Sequence, residues 1–486
     1  MLTLNLPLAS LFGLHTPPRV ALLLTLAFVV FLFRREIQGR PNVSGALWLP
    51  VLWLVLICSR SFTQWLNIFG LHVGGAVSVE EGSPLDACFI FALLMAGVCV
   101  LLTRQVNLAD VILNNGWLIA FVAYCFISIL WSDFPLVSFK RWIKMFGHPI
   151  MVLILLTEPN PEEALIQLMK RCTYVVVPVS ILFIKYFPDL GVRYDPWTGS
   201  QMCVGVSVGK NGLGEDCLIF GFFFFWYLLQ IWRTERSTRR RNELRLIAVF
   251  LLMIGLLFWK AHSATSTICF FVGIMVVVLL GMRSINKKFI GTYMLAALVL
   301  IVVAELVFGI SAHLSEALGR GSELSGRTKI WAAVLKMHTN PIFGTGFESF
   351  WLGDRVEHLQ DVFTTSSGET VVDLNEAHNG YLELYLNVGL VGLLIVIAML
   401  IAAYRKMRHE LFRNFEWARY RLGFFVAVLL YNCTEAAFRI LTPILLVFYI
   451  IAMDYPRIRA LKPQSSSAFA GVEKTKQLAY AEEEYR

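Results

Sequence analysis

Stretches of apolar residues long enough to cross a bilayer recur along almost the whole chain, and no other feature constrains its fold as strongly. They lie near 19–33, 46–59, 86–103, 116–131, 148–157, 173–187, 213–232, 244–259, 264–281, 290–310, 381–403, 421–434 and 440–454. A spanning helix needs ~20 predominantly apolar residues, so the pattern predicts an all-α, polytopic integral membrane protein with about 12 (11–13) transmembrane helices. The run at 148–157 is short and reads as part of a bent hairpin. Apolar residues are 57% of the chain and charged residues 16%, against ~45–50% and ~25% in soluble domains. A soluble fold could not bury so much apolar surface, and a disordered chain would not carry it.

The net charge of +8 would raise nucleic acid as a partner in a soluble protein. Here it reads as orientation. The segments Arg34–Arg40, Arg233–Arg245, Arg283–Lys288 and Arg405–Arg421 hold 3, 6, 3 and 6 basic residues, 18 of the chain's 42. By the positive-inside rule they belong on the cytoplasmic face. The connections 60–85, 132–147, 188–212 and 311–380 then alternate outward. The last carries 5 basic and 9 acidic residues. The layout divides into a transmembrane bundle over 1–310, a large periplasmic loop over 311–380, further transmembrane helices over 381–455, and a flexible cytoplasmic tail over 456–486. No cleavable signal peptide stands out. The nine cysteines form no CxxC pair and read as small core residues.

The chemically varied residues gather in the outward connections. In the segment Leu324–Trp351, Thr328 reads as the cap of an amphipathic helix starting after Arg327. Ile330, Trp331, Val334, Leu335 and His338 follow at helical spacing, and Asn340-Pro341 ends the helix. Such a helix would lie on the outer membrane surface. Its N-terminus, with Arg327 beside it, would suit a phosphate group. Taken alone, Arg327 also fits a surface arginine on a helix that covers the bundle. His378 and Asn379 stand just before the next apolar helix, at headgroup depth. A histidine there suits a general base near neutral pH, or an interfacial hydrogen bond at a helix start.

Lys140, Arg141 and Lys144, with Arg193 and with Lys210-Asn211 before a long apolar helix, are cations against the positive-inside tendency. A shared anionic ligand would explain them, as would lipid headgroups. There is no HExxH and no Asp-x-Asp on the outer connections, so no metal clamp and no cofactor are expected. Ser263–Ser266 reads as packing at a helix start.

Taken in order, the motifs resemble the O-antigen ligase and Wzy-type polysaccharide polymerase superfamily, most of all its exopolysaccharide-production (ExoQ-like) branch. They are SRSFTQWLN (Ser59–Asn67) with EGSPLD (Glu81–Asp86), WSDFP (Trp131–Pro135) followed by KRW, GKNGLG (Gly209–Gly214), SGRTKIW (Ser325–Trp331), NPIFGTGFESFW (Asn340–Trp351) and AHNGYLE (Ala377–Glu383). The resemblance spans roughly residues 50–455. It implies a metal-independent glycosyltransferase that works on undecaprenyl-diphosphate-linked oligosaccharide at the outer face of the bacterial inner membrane. It implies His378 as base for the acceptor hydroxyl and Arg327 as holder of the leaving diphosphate. Lys210, Arg141 and Arg193 would bind the lipid diphosphate, with Asn211 and Asn379 in support. The expected partners are the lipid-linked donor, an acceptor glycan and membrane lipid, extending to a flippase and a chain-length regulator, with no nucleic acid. Polymerisation of repeats is the leading expectation. Ligation to lipid A core, transport of lipid-linked glycans, and a non-catalytic docking role are the alternatives. Transport fits less well, because no internal repeat is visible and the spans are nearly free of charge.

Overall fold

The computed structural model describes residues 16–71, 83–194, 199–293, 296, 321–362 and 375–456. The tail beyond 456, most of the 290–310 run and parts of the 311–380 segment lie outside them. Six described helices are long and apolar enough to cross a membrane: Pro84–Thr103, Pro161–Tyr186, Lys210–Trp232, Thr238–Ala261, Ala264–Gly281 and Gly380–Glu410. Two sharply bent pairs, Gly45–Cys58 with Phe62–Ile68 and Leu108–Asn114 with Gly116–Trp131, raise the number to eight if each is one span. The chain is thus a mostly helical membrane protein. One small departure from all-α is an antiparallel pair of strands, Val192–Tyr194 and Gln201–Cys203, with Arg193 opposite Met202.

Burial separates the helices into two kinds. Pro84–Thr103 and Ala264–Gly281 leave Phe91, Met95, Phe271 and Met275 exposed, as helices facing lipid tails do. By contrast, Lys210–Trp232 buries Phe220, Phe222, Phe223, Phe224 and Trp226 completely. It packs against Thr238–Ala261 and Ala264–Gly281, and the latter packs against Phe415–Thr434. Pro443–Ala452 is only ten residues and every one is buried, so this apolar run is a plug inside the bundle. The 148–157 run forms the mostly buried ten-residue helix Gly147–Leu156, one residue after the amphipathic Pro135–Met145.

The four basic segments meet at one end. Arg35 bonds Glu243 at 2.7 Å, Arg233 pairs with Glu416, and Arg408 donates to the Lys288 carbonyl at 3.0 Å. Two of the basic residues differ from expectation. Arg419 and Arg421 sit inside the Phe415–Thr434 helix and are buried. Arg421 is held there by Asp454 at 3.2 Å and by the Ile451 carbonyl at 2.6 Å. A buried charge needs such partners.

The four connections expected on the other face also meet one another. Arg60 donates to the Leu190 carbonyl, Arg141 to the Glu348 carbonyl, and Asn211 and Arg327 converge on Glu435 at 3.0 and 2.6 Å. The Lys210–Trp232 helix joins the two ends. Its 23 residues rise ~1.5 Å each, about 35 Å in all, which exceeds the ~30 Å hydrocarbon layer.

Candidate active site

The site is built where three helices begin or end. The Gly380–Glu410 helix starts at Asn379, whose Oδ1 accepts from the backbone N–H groups of Tyr381 and Leu382, both at 3.1 Å. This satisfies two donors that a helix start leaves open. His378 precedes it with φ of 49°, a left-handed conformation that costs a non-glycine residue energy and persists only where surroundings enforce it. A Cβ on Gly380 would lie 1.8 Å from Asn432 Oδ1. Only glycine lets this helix head press against the end of Phe415–Thr434.

Glu435, the next residue after that second helix, is the hub. Its Oε1 accepts from Arg327 Nη2 at 2.6 Å and from Asn211 Nδ2 at 3.0 Å. Its Oε2 faces His378 Nδ1 at 3.2 Å. The same nitrogen lies 2.9 Å from Glu376 Oε1, and Glu376 Oε2 pairs with Arg439 Nη1 at 2.9 Å. Arg327 also donates to the Thr434 carbonyl at 2.5 Å. The result is an alternating chain of charges: Arg327, Glu435, His378, Glu376, Arg439.

A buried shell fixes this chain. Trp331 Nε1 donates to the Ala377 carbonyl at 2.8 Å. Ala377 N–H donates to Glu383 Oε2 at 3.2 Å, and Trp351 Nε1 to Glu383 Oε1 at 2.5 Å. Three motifs noted in the sequence, SGRTKIW, FESFW and AHNGYLE, therefore close around Ala377. The NPIFGTG motif docks on a break in the Gly380–Glu410 helix. Gly389 there has φ of 65°, and the freed N–H groups of Leu390 and Val391 bond to the Pro341 and Ile342 carbonyls at 3.0 and 3.1 Å. Farther around the same end, Thr63 bonds Ser83 at 2.8 Å and Asp86 at 2.9 Å, joining the first two motifs.

The electrostatics follow from this geometry. Burial works to lower the His378 value, but hydrogen bonds to Glu376 and Glu435 and their negative charges outweigh it and raise the imidazole to about 9. Burial works to raise Glu376, yet His378 and Arg439 hold it down at about 2. Burial also opposes the charge on Arg439, and the carboxylates of Glu348, Glu376 and Glu383 outweigh it and raise its value above the ordinary one. At neutral pH the resting site holds His378 as a cation beside the ionised Glu376.

Of the residues expected in the site, the structure brings together Arg327, His378 and Asn211, with Asn379 as the cap that orients His378. Lys210 opens the Lys210–Trp232 helix beside Asn211. Arg141 sits farther out and donates to the Glu348 carbonyl. Arg193 is not in the charge chain. It is exposed on its short strand, and its positive charge acts on the buried Arg60. One expectation is corrected. The helix carrying Arg327 spans Gly321–Leu335, so Arg327 is mid-helix and Thr328 is no cap. The stretch Gly321–Gly326 has no proline to stop the helix from extending backward. The phosphate-binding helix start proposed at Arg327 is therefore absent, and the guanidinium must act through its side chain. The apolar face also differs from a surface-lying helix: Ile330 and Val334 are buried against Phe350, Trp351, Leu359 and Leu386.

Glu376, Glu435, Arg439 and Glu383 were not expected. The one local signal was the pair of opposite charges, Glu435 and Arg439, in a short connection between two apolar runs. Among the described residues, Glu376, His378 and Glu435 offer ligand atoms within 4.8 Å of one another. The set fits a metal ion poorly, because each carboxylate oxygen already accepts from an arginine, the histidine or Asn211. A divalent ion would have to displace cations that are part of the same framework.

Comparison with known proteins agrees with this organisation. Residues 248–397 match the family model described as O-Antigen ligase. That region contains Arg327, Glu376 and His378 and stops short of Glu435. The molecule is thus a membrane protein with a region similar to the O-antigen ligase family. Over a longer span it is similar to the exopolysaccharide production protein ExoQ of Rhizobium meliloti (strain 1021), with 25% identity over 362 residues, 71% of this chain and 78% of that protein. The resemblance read from the motifs is borne out by both.

Proposed function

We propose that the chain is a membrane glycosyltransferase that polymerises undecaprenyl-diphosphate-linked oligosaccharide repeats in exopolysaccharide or O-antigen biosynthesis. The observation that carries this reading is the convergence of Arg327, Asn211 and His378 on Glu435 at the end of the bundle opposite the basic segments. Those segments mark the cytoplasmic face, so the site faces the periplasm of a bacterial inner membrane. The 311–380 segment, partly closed over it, is then an outer loop.

The chemistry asked of the protein is modest. A lipid diphosphate is already a good leaving group, so no protein nucleophile is needed. Arg327 is placed to take charge from the departing phosphates, with the His378 cation beside it. Lys210 and Arg141 are candidates for a wider diphosphate grip, and Arg193 for an outer contact with it. The acceptor hydroxyl must lose a proton, and taking it is a role that the family resemblance implies for His378. In the resting site that imidazole is charged, so it could act as base only after losing a carboxylate neighbour.

A second reading, transfer of the glycan to lipid A core or another single acceptor, is favoured by the O-antigen ligase match. Purified protein in lipid nanodiscs with a defined undecaprenyl-diphosphate oligosaccharide separates the two. A ladder of products supports polymerisation. One added glycan supports ligation, and no transfer to any acceptor overturns both.

A further inference from the structure

Glu435 is tied to both halves of the reaction, and its two oxygens are tied differently. Among the described residues, Oε2 faces only His378, at 3.2 Å. Oε1 carries the two donors that a phosphate would compete for, Arg327 at 2.6 Å and Asn211 at 3.0 Å. The carboxylate is nearly buried, with 7% of its side chain exposed, while Arg327 and His378 keep 23% and 31%. The arginine is therefore reachable from outside, and the carboxylate lies behind it. Within the resting protein Glu435 stands in for the anion that the substrate would bring.

We propose that Glu435 is the general base for the acceptor hydroxyl, and that the arriving diphosphate is what frees it. This rests on the glycosyl-transfer reading above. In the resting protein the Glu435 oxygens are occupied by Arg327, Asn211 and His378, so neither is presented to an acceptor hydroxyl. A phosphate offers more oxygens and more charge, and an arginine pairs with it through two parallel bonds. When the donor diphosphate takes Arg327, Oε1 loses its closest counter-charge in a largely dry setting and becomes more basic. Oε2 stays on His378, which keeps the freed oxygen oriented. Glu376 Oε1 holds the same nitrogen, Nδ1, at 2.9 Å, so the imidazole remains a cation beside the leaving group.

The step then balances. The acceptor oxygen forms a bond to the anomeric carbon while its proton passes to Glu435 Oε1. The bond from that carbon to the diphosphate oxygen breaks, and its electron pair leaves with the diphosphate, whose charge Arg327 holds. When the diphosphate departs, Glu435 gives its proton to water and Arg327 returns to it. Donor binding thus precedes base formation, and the empty enzyme presents no free base.

The test uses full-length protein in nanodiscs with the defined lipid-linked donor and its acceptor. Wild type, Glu435→Gln and Glu435→Asp are compared for kcat, donor KM and donor binding without acceptor, from neutral pH to above the His378 value of about 9. Glu435→Gln is expected to lose about 10²–10⁴-fold in kcat at every pH. It should bind donor as well as wild type or better, since Arg327 is released from an anion. Glu435→Asp should recover part of the rate. The assignment is overturned if Glu435→Gln keeps its kcat with the rise of its pH profile moved to lower pH, for then His378 is the base and Glu435 only sets its charge. It is also overturned if Glu435→Gln binds no donor while Glu435→Asp does and turns over normally, which would make the carboxylate a scaffold. A wild type that binds donor but makes no product removes the glycosyl-transfer reading itself, a separate outcome.

Discussion

The two ends of the bundle use charge in opposite ways. At the basic end cations are many, and neighbouring acids tie helix ends together. Arg171 bonds Glu36 at 2.6 Å, and Arg35 and Lys170 clasp Glu243 at 2.7 and 3.2 Å. At the other end Arg327 and Arg439 are strung with carboxylates into one chain around a histidine. Glu435 joins Arg327, Asn211 and His378. The abundance of charge therefore marks the face that sets topology. Linkage of opposite charges through a titratable group marks the face where we propose the chemistry lies.

The contrast can be broken by substitution. Removing Arg327 or His378 as alanine should abolish product, a loss of at least about 10²-fold, while the protein still inserts into membranes. Product assays with a membrane-fraction control check this, and normal polymer from both variants would sink the enzyme reading. Next comes the framework. Glu383→Ala strands two buried donors, Trp351 Nε1 and Ala377 N–H, at a cost of ~1–3 kcal/mol each. A fall in thermal stability is expected, with activity lost in parallel. Gly380→Ala forces a methyl onto Asn432 and should cost ~1–3 kcal/mol, read by the same melt.

A smaller effect is a pH dependence of stability confined to the site end. The folded value of His378 lies above its ordinary 6.5. Its ion pairs thus contribute fully below about 6.5 and are lost as pH rises through about 9. Glu376 runs the other way: its contribution is present above 4.5 and fades as pH falls toward about 2. Unfolding midpoints should decline on the alkaline side in wild type and stay flatter there in His378→Ala. The smallest effect expected is that of excess EDTA on the purified enzyme, which should be none. Loss restored by Mg²⁺ or Mn²⁺ would mean that a metal, not arginine, holds the diphosphate.

The spans were legible because apolar runs are a local property. Their roles were less so. Pro443–Ala452 and Pro84–Thr103 are both strongly apolar, and only packing makes one a buried plug and the other a lipid-facing helix. Arg421 looked like a loop cation because its partner Asp454 lies beyond the next apolar run, and Arg419 because its partner Glu416, three residues back, is itself part of the charged stretch. In the site, motif order sufficed for Arg327, His378, Asn211 and Asn379. Glu435 escaped because its meaning lies in partners 57, 108 and 224 residues away. The helix start assigned after Arg327 failed because Thr328 carries a capping residue type, and the helix simply continues past it in both directions.

The central claim is that chemistry belongs to the Arg327–Glu435–His378 end alone. Release of undecaprenyl diphosphate per enzyme, measured side by side for wild type, Arg327→Ala and Arg35→Ala in nanodiscs, tests it most directly. The account predicts release near the wild-type rate from Arg35→Ala and essentially none from Arg327→Ala. Equal release from both variants, or loss only in Arg35→Ala, would contradict it.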